Sequence, residues 1–151
     1  MKHGAKYQVI VVGAGHAGIE ASLAAARCGS RVALVTLSKN SIARMSCNPS
    51  IGGLAKGQIV REVDALGGVM GVATDFSGIQ FKMLNRSKGR AVWSPRAQVD
   101  KRKYEKYVNK RILKDPFIDL IEAEVVSIVT AKGKTTGVKT VDSAIISGEA
   151  V

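Results

Sequence analysis

The sequence predicts an α/β fold, a parallel sheet wound with helices, on three observations. An apolar, β-branched run at residues 7–12, uninterrupted after Gln8, reads as a strand buried on both faces. It breaks at Gly13-Ala14-Gly15 and gives way to an alanine-rich stretch, 17–28, that reads as a helix closed by Gly29. A second apolar run, 31–37, completes a strand–helix–strand unit of the usual length of roughly 30 residues. Gly18, Ala21 and Ala25 share one face of that helix, where small side chains allow close approach to a sheet. Cys28, at the helix end, reads as a small buried residue.

The remaining elements follow in order. Residues 38–53 form a long polar loop with Pro49 inside it, and structureless loops of that length are often functional. A helix is expected over 54–66, ended by Gly67-Gly68, then a short strand over 79–84 and a basic loop over 85–95. Residues 100–114 predict an amphipathic helix, with Tyr104, Val108 and Ile112 on its apolar side. Lys103, Lys106, Lys110 and Lys114 form a stripe on the roughly opposite side. Two strands, 118–129 and 136–141, join through the Lys132-Gly133-Lys134 turn, and 144–146 extends that small sheet. The chain reaches Val151 before a doubly wound sheet has all its strands, so an incomplete domain is expected. A small complete domain is the alternative.

Composition narrows the setting. The 151 residues suffice for one domain. No apolar run approaches the ~20 residues that span a bilayer, and the N-terminus lacks a signal peptide's apolar core. A cytoplasmic protein without membrane association or a metal site is expected. Cys28 and Cys47 fit a reducing compartment. The formal charge of +11 attracts phosphate-rich partners, or else marks a solvated face or one that meets an acidic partner.

Gly13-Ala14-Gly15-His16-Ala17-Gly18 matches G-x-G-x-x-G between a strand and a helix, the context in which the pattern binds a dinucleotide. Gly13 permits the tight turn, Gly15 lets a pyrophosphate approach the backbone, and Gly18 lets the helix pack against the strand. The helix N-terminus then presents N–H groups and the positive end of its dipole to phosphate. His16 either touches phosphate or sits at the mouth of the turn. The acidic residue expected at the end of the second strand is missing from Val35-Thr36-Leu37-Ser38, where Thr36 or Ser38 could bond a ribose less strongly. The fingerprint alone does not separate FAD from NAD.

Other strings are more specific. Met45-Ser46-Cys47-Asn48-Pro49-Ser50-Ile51-Gly52-Gly53, Lys56-Gly57, Glu62-Val63-Asp64-Ala65-Leu66-Gly67-Gly68, Gly78-Ile79-Gln80-Phe81, Ser87-Lys88-Gly89 and Arg96-Ala97-Gln98 resemble the MnmG (GidA) family. The likeness runs most densely from Val9 to Asp100 and includes the Gly-x-Gly-His-Ala-Gly start. It implies a Rossmann-like FAD-binding domain of the glutathione-reductase type with a small β-strand insertion. This chain would be its N-terminal part. The remaining FAD, NADH-binding and C-terminal helical regions would be absent.

The family's activity is the addition of a carboxymethylaminomethyl or aminomethyl group to C5 of the wobble uridine of tRNA. The resemblance implies FAD as cofactor, NADH as reductant, a methylene-folate donor, and glycine or ammonium. It also implies a GTPase partner subunit (the MnmE family) and a homodimer at full length. Residue by residue, Gly13, Ala14, Gly15, His16, Ala17 and Gly18 match the family's FAD loop, and Val125 a position that contacts FAD through its backbone.

Cys47 matches a cysteine implicated in catalysis. A thiolate adding at C6 of uracil makes C5 electron-rich, and a helix beginning near Gly53 would favour the thiolate. A loop cysteine packed against flavin is the alternative. Arg90 stands where the family usually has proline, and Trp93-Ser94-Pro95 departs from its pattern. Lys88, Arg90 and Arg96 form either a basic edge for tRNA or a solvated face. Two competing readings stand beside the tRNA-modifying flavoprotein. A generic flavin disulfide reductase would need a second cysteine near Cys47. A truncated, non-catalytic module would bind nucleotide or RNA only.

Overall fold

The computed structural model describes residues 6–45 and 48–151. In chain order its elements are β1 (Tyr7–Val12), α1 (His16–Arg27), β2 (Val32–Thr36), β3 (Ser50–Gly52), α2 (Lys56–Ala65) and α3 (Val69–Ser77). They continue with β4 (Gly78–Leu84), β5 (Ser94–Val99), α4 (Lys101–Lys114), β6 (Ile118–Glu122), β7 (Val125–Ala131), β8 (Lys134–Thr140) and β9 (Ile145–Ala150). Two units arise: the residues up to 42 together with 111–151, and residues 43–110.

The first unit is a six-stranded sheet in the order β6-β2-β1-β9-β8-β7. β6, β2, β1 and β9 run parallel, with Val9 beside Val32, Val32 beside Ile118 and Tyr7 beside Gly148. β9, β8 and β7 form an antiparallel meander. β2 is buried at all five positions, as a strand covered on both faces should be. β1 departs from that expectation. Tyr7 and Ile10 are buried, but Val12 is half-exposed beside the glycine turn, and exposed Gln8 accepts a hydrogen bond from the Arg31 N–H at 2.7 Å. Tyr7, Ile10, Ala33, Val35 and Val138 pack as one cluster, with Ile121, Val125 and Ile146 against it. Burying a side chain of Ile or Val size contributes about 1.5–3 kcal/mol. At the start of the strands, the Tyr7 hydroxyl donates to Asp119 at 3.1 Å and the Arg31 guanidinium pairs with the same carboxylate at 3.0 Å. Burial, then the Asp119 carboxylate, raise the Tyr7 phenol above its ordinary range.

Three expectations for this unit change. The buried face of α1 is Ile19, Ser22, Leu23 and Ala26, while Ala21 is exposed and Ala25 only half-buried. At 100° per residue, Gly18 lines up with Ser22 and Ala26, and the Ser22 hydroxyl donates to the Gly18 carbonyl at 2.7 Å. Cys28 is exposed, not buried: it caps the helix, and Gly29, at φ +81°, turns the chain away immediately after it. The strand expected over 118–129 is two strands. β6 must pair with β2 and β7 with β8, and one straight segment cannot do both. The change of partner falls at Ala123, whose N–H donates to the Thr36 carbonyl at 2.9 Å, and at Glu124, whose carbonyl accepts from Val141 at 2.9 Å.

The second unit holds a three-stranded antiparallel sheet, β3-β5-β4, with α2 and α3. The expected polar loop over 38–53 is shorter than predicted, because it contains a 3-10 turn at Lys39–Ser41 and strand β3. α3 and β5 were not anticipated. Gly52, at φ +97°, meets the Pro95 carbonyl so closely that a side chain there would run into it. α4 forms as predicted. The Asp100 carboxylate caps it, accepting from the N–H groups of Arg102 at 2.9 Å and Lys103 at 3.1 Å. Tyr104, Val108 and Ile112 are buried, and Lys103, Lys106, Lys110 and Lys114 are exposed.

Candidate nucleotide site

The fingerprint lies at the C-terminal end of β1, where the strand order reverses: β2 and β6 lie to one side, β9 to the other. Ligands of open α/β sheets bind at this switch point. Each glycine answers to a different physical demand. Gly13 sits at φ +102°, a conformation that side chains resist, and its N–H donates to the Val35 carbonyl at 2.7 Å, tying the turn to the end of β2. Gly18 is required by packing. A Cβ there would collide with the Gly13 carbonyl oxygen and come within 3.3 Å of Val11 Cγ1. Gly15 answers to neither demand. Its φ of −75° suits any residue, and a Cβ there would meet nothing within 4 Å. The protein itself gives no reason for glycine at 15, but a ligand lying against that backbone does.

The rest of the turn suits a diphosphate. The first helical bond of the turn runs from the Ile19 N–H to the Gly15 carbonyl at 3.0 Å. The N–H groups at Ala17 and Gly18 therefore have no carbonyl four residues back within α1. They face the end of the turn, where the helix dipole is positive. Ala14 is buried beneath the turn, His16 is half-buried and Ala17 is exposed.

The neighbouring strand ends supply the remaining edge. Ser38 is engaged locally: its hydroxyl accepts from the Asn40 N–H at 3.3 Å, and its carbonyl accepts from the Ser41 hydroxyl at 2.7 Å. The Thr36 hydroxyl reaches the same carbonyl at 3.4 Å. Val125 opens β7, two residues after the Ala123–Thr36 bond. Glu122, exposed and in register with Thr36, is a carboxylate at this edge that sequence reading missed. Only the strand order β6-β2 could have revealed it.

Other candidates fare differently. Cys47 lies outside the described residues. The helix invoked to activate it begins at Lys56, after β3, which removes helix adjacency in sequence as an argument for a thiolate. Lys88 and Arg90 both meet Trp93. The Arg90 guanidinium lies 5.9 Å from the Trp93 ring centroid, and the Trp93 indole N–H donates to the Lys88 carbonyl at 3.0 Å. Two of the residues that depart from the family pattern, Arg90 and Trp93, thus pack on each other. Arg96 instead donates to the Ser50 hydroxyl at 3.2 Å and lines a pocket of about 470 Å³ with Arg61, Asp64, Asp75 and Lys82. Among the described residues, no group of three or more His, Cys, Asp or Glu is placed to hold a metal ion. No helix among them is long and apolar enough to cross a membrane.

Comparison with known proteins gives a consistent result. Residues 8–151 match the family described as glucose inhibited division protein A. The tRNA uridine 5-carboxymethylaminomethyl modification enzyme MnmG of Endomicrobium trichonymphae is 51% identical over 97% of this chain and 24% of its own length. The enzyme of the same name from Chlorobium chlorochromatii is 55% identical over 95% of this chain and 23% of its own. The crystal structure of Aquifex aeolicus GidA superposes with a TM-score of 0.91 at 49% identity, covering 95% of this chain and 24% of that one. The chain thus spans about a quarter of the length of the relatives it matches. With a match over nearly all its residues and a shared backbone, the chain belongs to the glucose inhibited division protein A family.

Proposed function

We propose that this chain is the opening part of the FAD-binding domain of a tRNA-modifying enzyme, with FAD's diphosphate held at residues 13–18. The observation that carries the cofactor assignment is the open space beside Gly15, together with the helix N-terminus that faces it. The activity for which the relatives are named supplies the reaction: carboxymethylaminomethyl modification of tRNA uridine. Gly13, Gly15 and Gly18 shape the turn. Ala14, His16 and Ala17, with Gly15 and Gly18, offer main-chain atoms to the diphosphate. Val125 offers its backbone at the adenine end, and Glu122 or Thr36 a hydrogen bond to ribose. When bound, FAD supplies redox chemistry.

For the whole protein, the reading includes NADH as reductant, a methylene-folate donor, glycine or ammonium, a GTPase partner subunit, and a homodimer in the cytoplasm. Within this chain, Cys47 is the proposed nucleophile. Its thiolate adds to C6 of the uracil ring, and the electron pair moves to C5, which then attacks the methylene carbon of the folate donor as one of its C–N bonds breaks and that pair passes to nitrogen. Loss of the C5 proton and expulsion of the thiolate restore the ring.

The test uses flavin and Cys47 together. A purified yellow protein with the absorbance of oxidised flavin supports the cofactor assignment. A colourless one that takes up no added FAD favours the non-catalytic module. In the full-length protein, Cys47→Ser should abolish uridine modification and leave FAD content unchanged. Surviving modification would rule out the thiolate step.

A further inference from the structure

The exposed side of α4 combines positive charge with an open aromatic pair. Burial of Tyr104, Val108 and Ile112, each 1% exposed, fixes the rotation of the helix. At 100° per residue, Lys103, Lys106 and Lys110 then fall within about 60° of one another on the opposite side. All three are exposed. The helix carries one acidic residue, Glu105, which is half-buried well away from this stripe. The ion pairs Lys6–Glu149 and Arg31–Asp119 do not draw on α4.

Tyr107 stands beside the stripe, four residues after Lys103 and three before Lys110, the spacings that bring side chains together on a helix. Its ring meets that of Phe76 in α3, with centroids 5.0 Å apart and planes inclined at 36°. Phe76 is itself 62% exposed. An open phenylalanine seated on a tyrosine that lysines flank along its helix is a poor core for a protein interface, from which lysine is depleted. A single-stranded nucleic acid satisfies both features. Its phosphates take the ammonium groups, and an unpaired base stacks on the exposed ring.

We propose that this face binds unpaired RNA, with Lys103, Lys106 and Lys110 on successive phosphates and a base stacked on Phe76. The proposal rests on the tRNA reading above and gives it a surface. It assigns no chemistry to these residues. They hold the substrate by charge and stacking.

The test measures binding of a short single-stranded RNA, and separately of polyglutamate, by fluorescence anisotropy across a range of salt. Replacing Lys103, Lys106 and Lys110 by serine should reduce the slope of log affinity against log salt by about 2, from roughly 0.7 per phosphate contact. The corresponding arginine variant should retain the slope. Phe76→Ala should weaken RNA binding roughly tenfold at fixed salt without changing the slope or polyglutamate binding. An unchanged slope in the serine variant, or unchanged RNA affinity in Phe76→Ala, would overturn the proposal. Loss of polyglutamate binding with RNA binding indifferent to Phe76 would also overturn it, and would assign the face to an acidic protein. A wild-type protein that binds no RNA would instead remove the tRNA reading on which the surface depends.

Discussion

Alanine at position 15 separates the two reasons a glycine can be needed. Gly15 has an ordinary φ of −75°, and an added methyl group meets no protein atom within 4 Å. Two small stability effects oppose each other. Alanine is a poorer N-cap than glycine by several tenths of a kcal/mol. It also restricts the unfolded chain, a gain of about 0.4–1 kcal/mol. The net change should lie within about 0.5 kcal/mol, or about 2 °C in Tm for a chain of this size. Flavin binding should respond far more. A methyl group in the space proposed for the diphosphate lengthens or breaks at least one charge-assisted hydrogen bond, about 1.5–3 kcal/mol. That is roughly a 10- to 150-fold loss in Kd. Gly18→Ala is the contrasting variant. Its methyl group collides with the Gly13 carbonyl, and overpacking should cost about 1–3 kcal/mol of stability. Thermal melts and flavin titration by fluorescence quenching read both quantities. If Gly15→Ala bound flavin like the parent, or melted many degrees lower, the assignment of the turn would be refuted.

Two further outcomes test the fold. Asp100→Ala removes the side-chain cap of α4 and should lower stability by about 1 kcal/mol, measurable by urea denaturation; an unchanged midpoint would mean the two capping bonds contribute nothing. The Tyr7 phenol is raised in the folded chain, so its contribution is fully present below the unfolded value of about 10 and is lost as pH rises above it. Tyr7→Phe should therefore flatten the fall in Tm between about pH 9 and 11. An equal fall in both proteins would count against the Tyr7–Asp119 bond.

The elements legible in the sequence were those whose pattern depends on their own residues. β2 is apolar at every position because it is covered on both faces. α4 alternates Tyr104, Val108 and Ile112 with lysines at helical spacing. The glycine turn was legible because positive φ and close packing leave glycine as the residue that fits. What escaped depended on partners distant in sequence. α3 holds Gly71 at mid-helix, a residue that weakens the local signal and sits where a Cβ would push the Asp64 side chain of α2 aside. Its Thr74 and Ser77 hydroxyls bond back to the carbonyls of Met70 and Ala73. β5 begins with Ser94 and Pro95, which read as the end of a loop, yet it pairs with β3 on one side and β4 on the other. The break between β6 and β7 falls where the chain changes neighbours, and no local pattern marks it. At the candidate site the phosphate turn was visible, but Glu122 reached the same edge only through strand order.

β1 gains its second neighbour from the far end of the chain, where Gly148 and Ala150 lie beside Tyr7 and Val9. During synthesis on the ribosome, the strand leading into the glycine turn therefore has one side open until residues 145–150 emerge. A nascent chain held short of that point exposes the hydrogen-bonding edge of an apolar strand, the feature most prone to pairing with another chain. Interruptions in translation anywhere before β9 should leave that edge open, whereas the β3-β5-β4 sheet of residues 43–110 has all its strands by Val99.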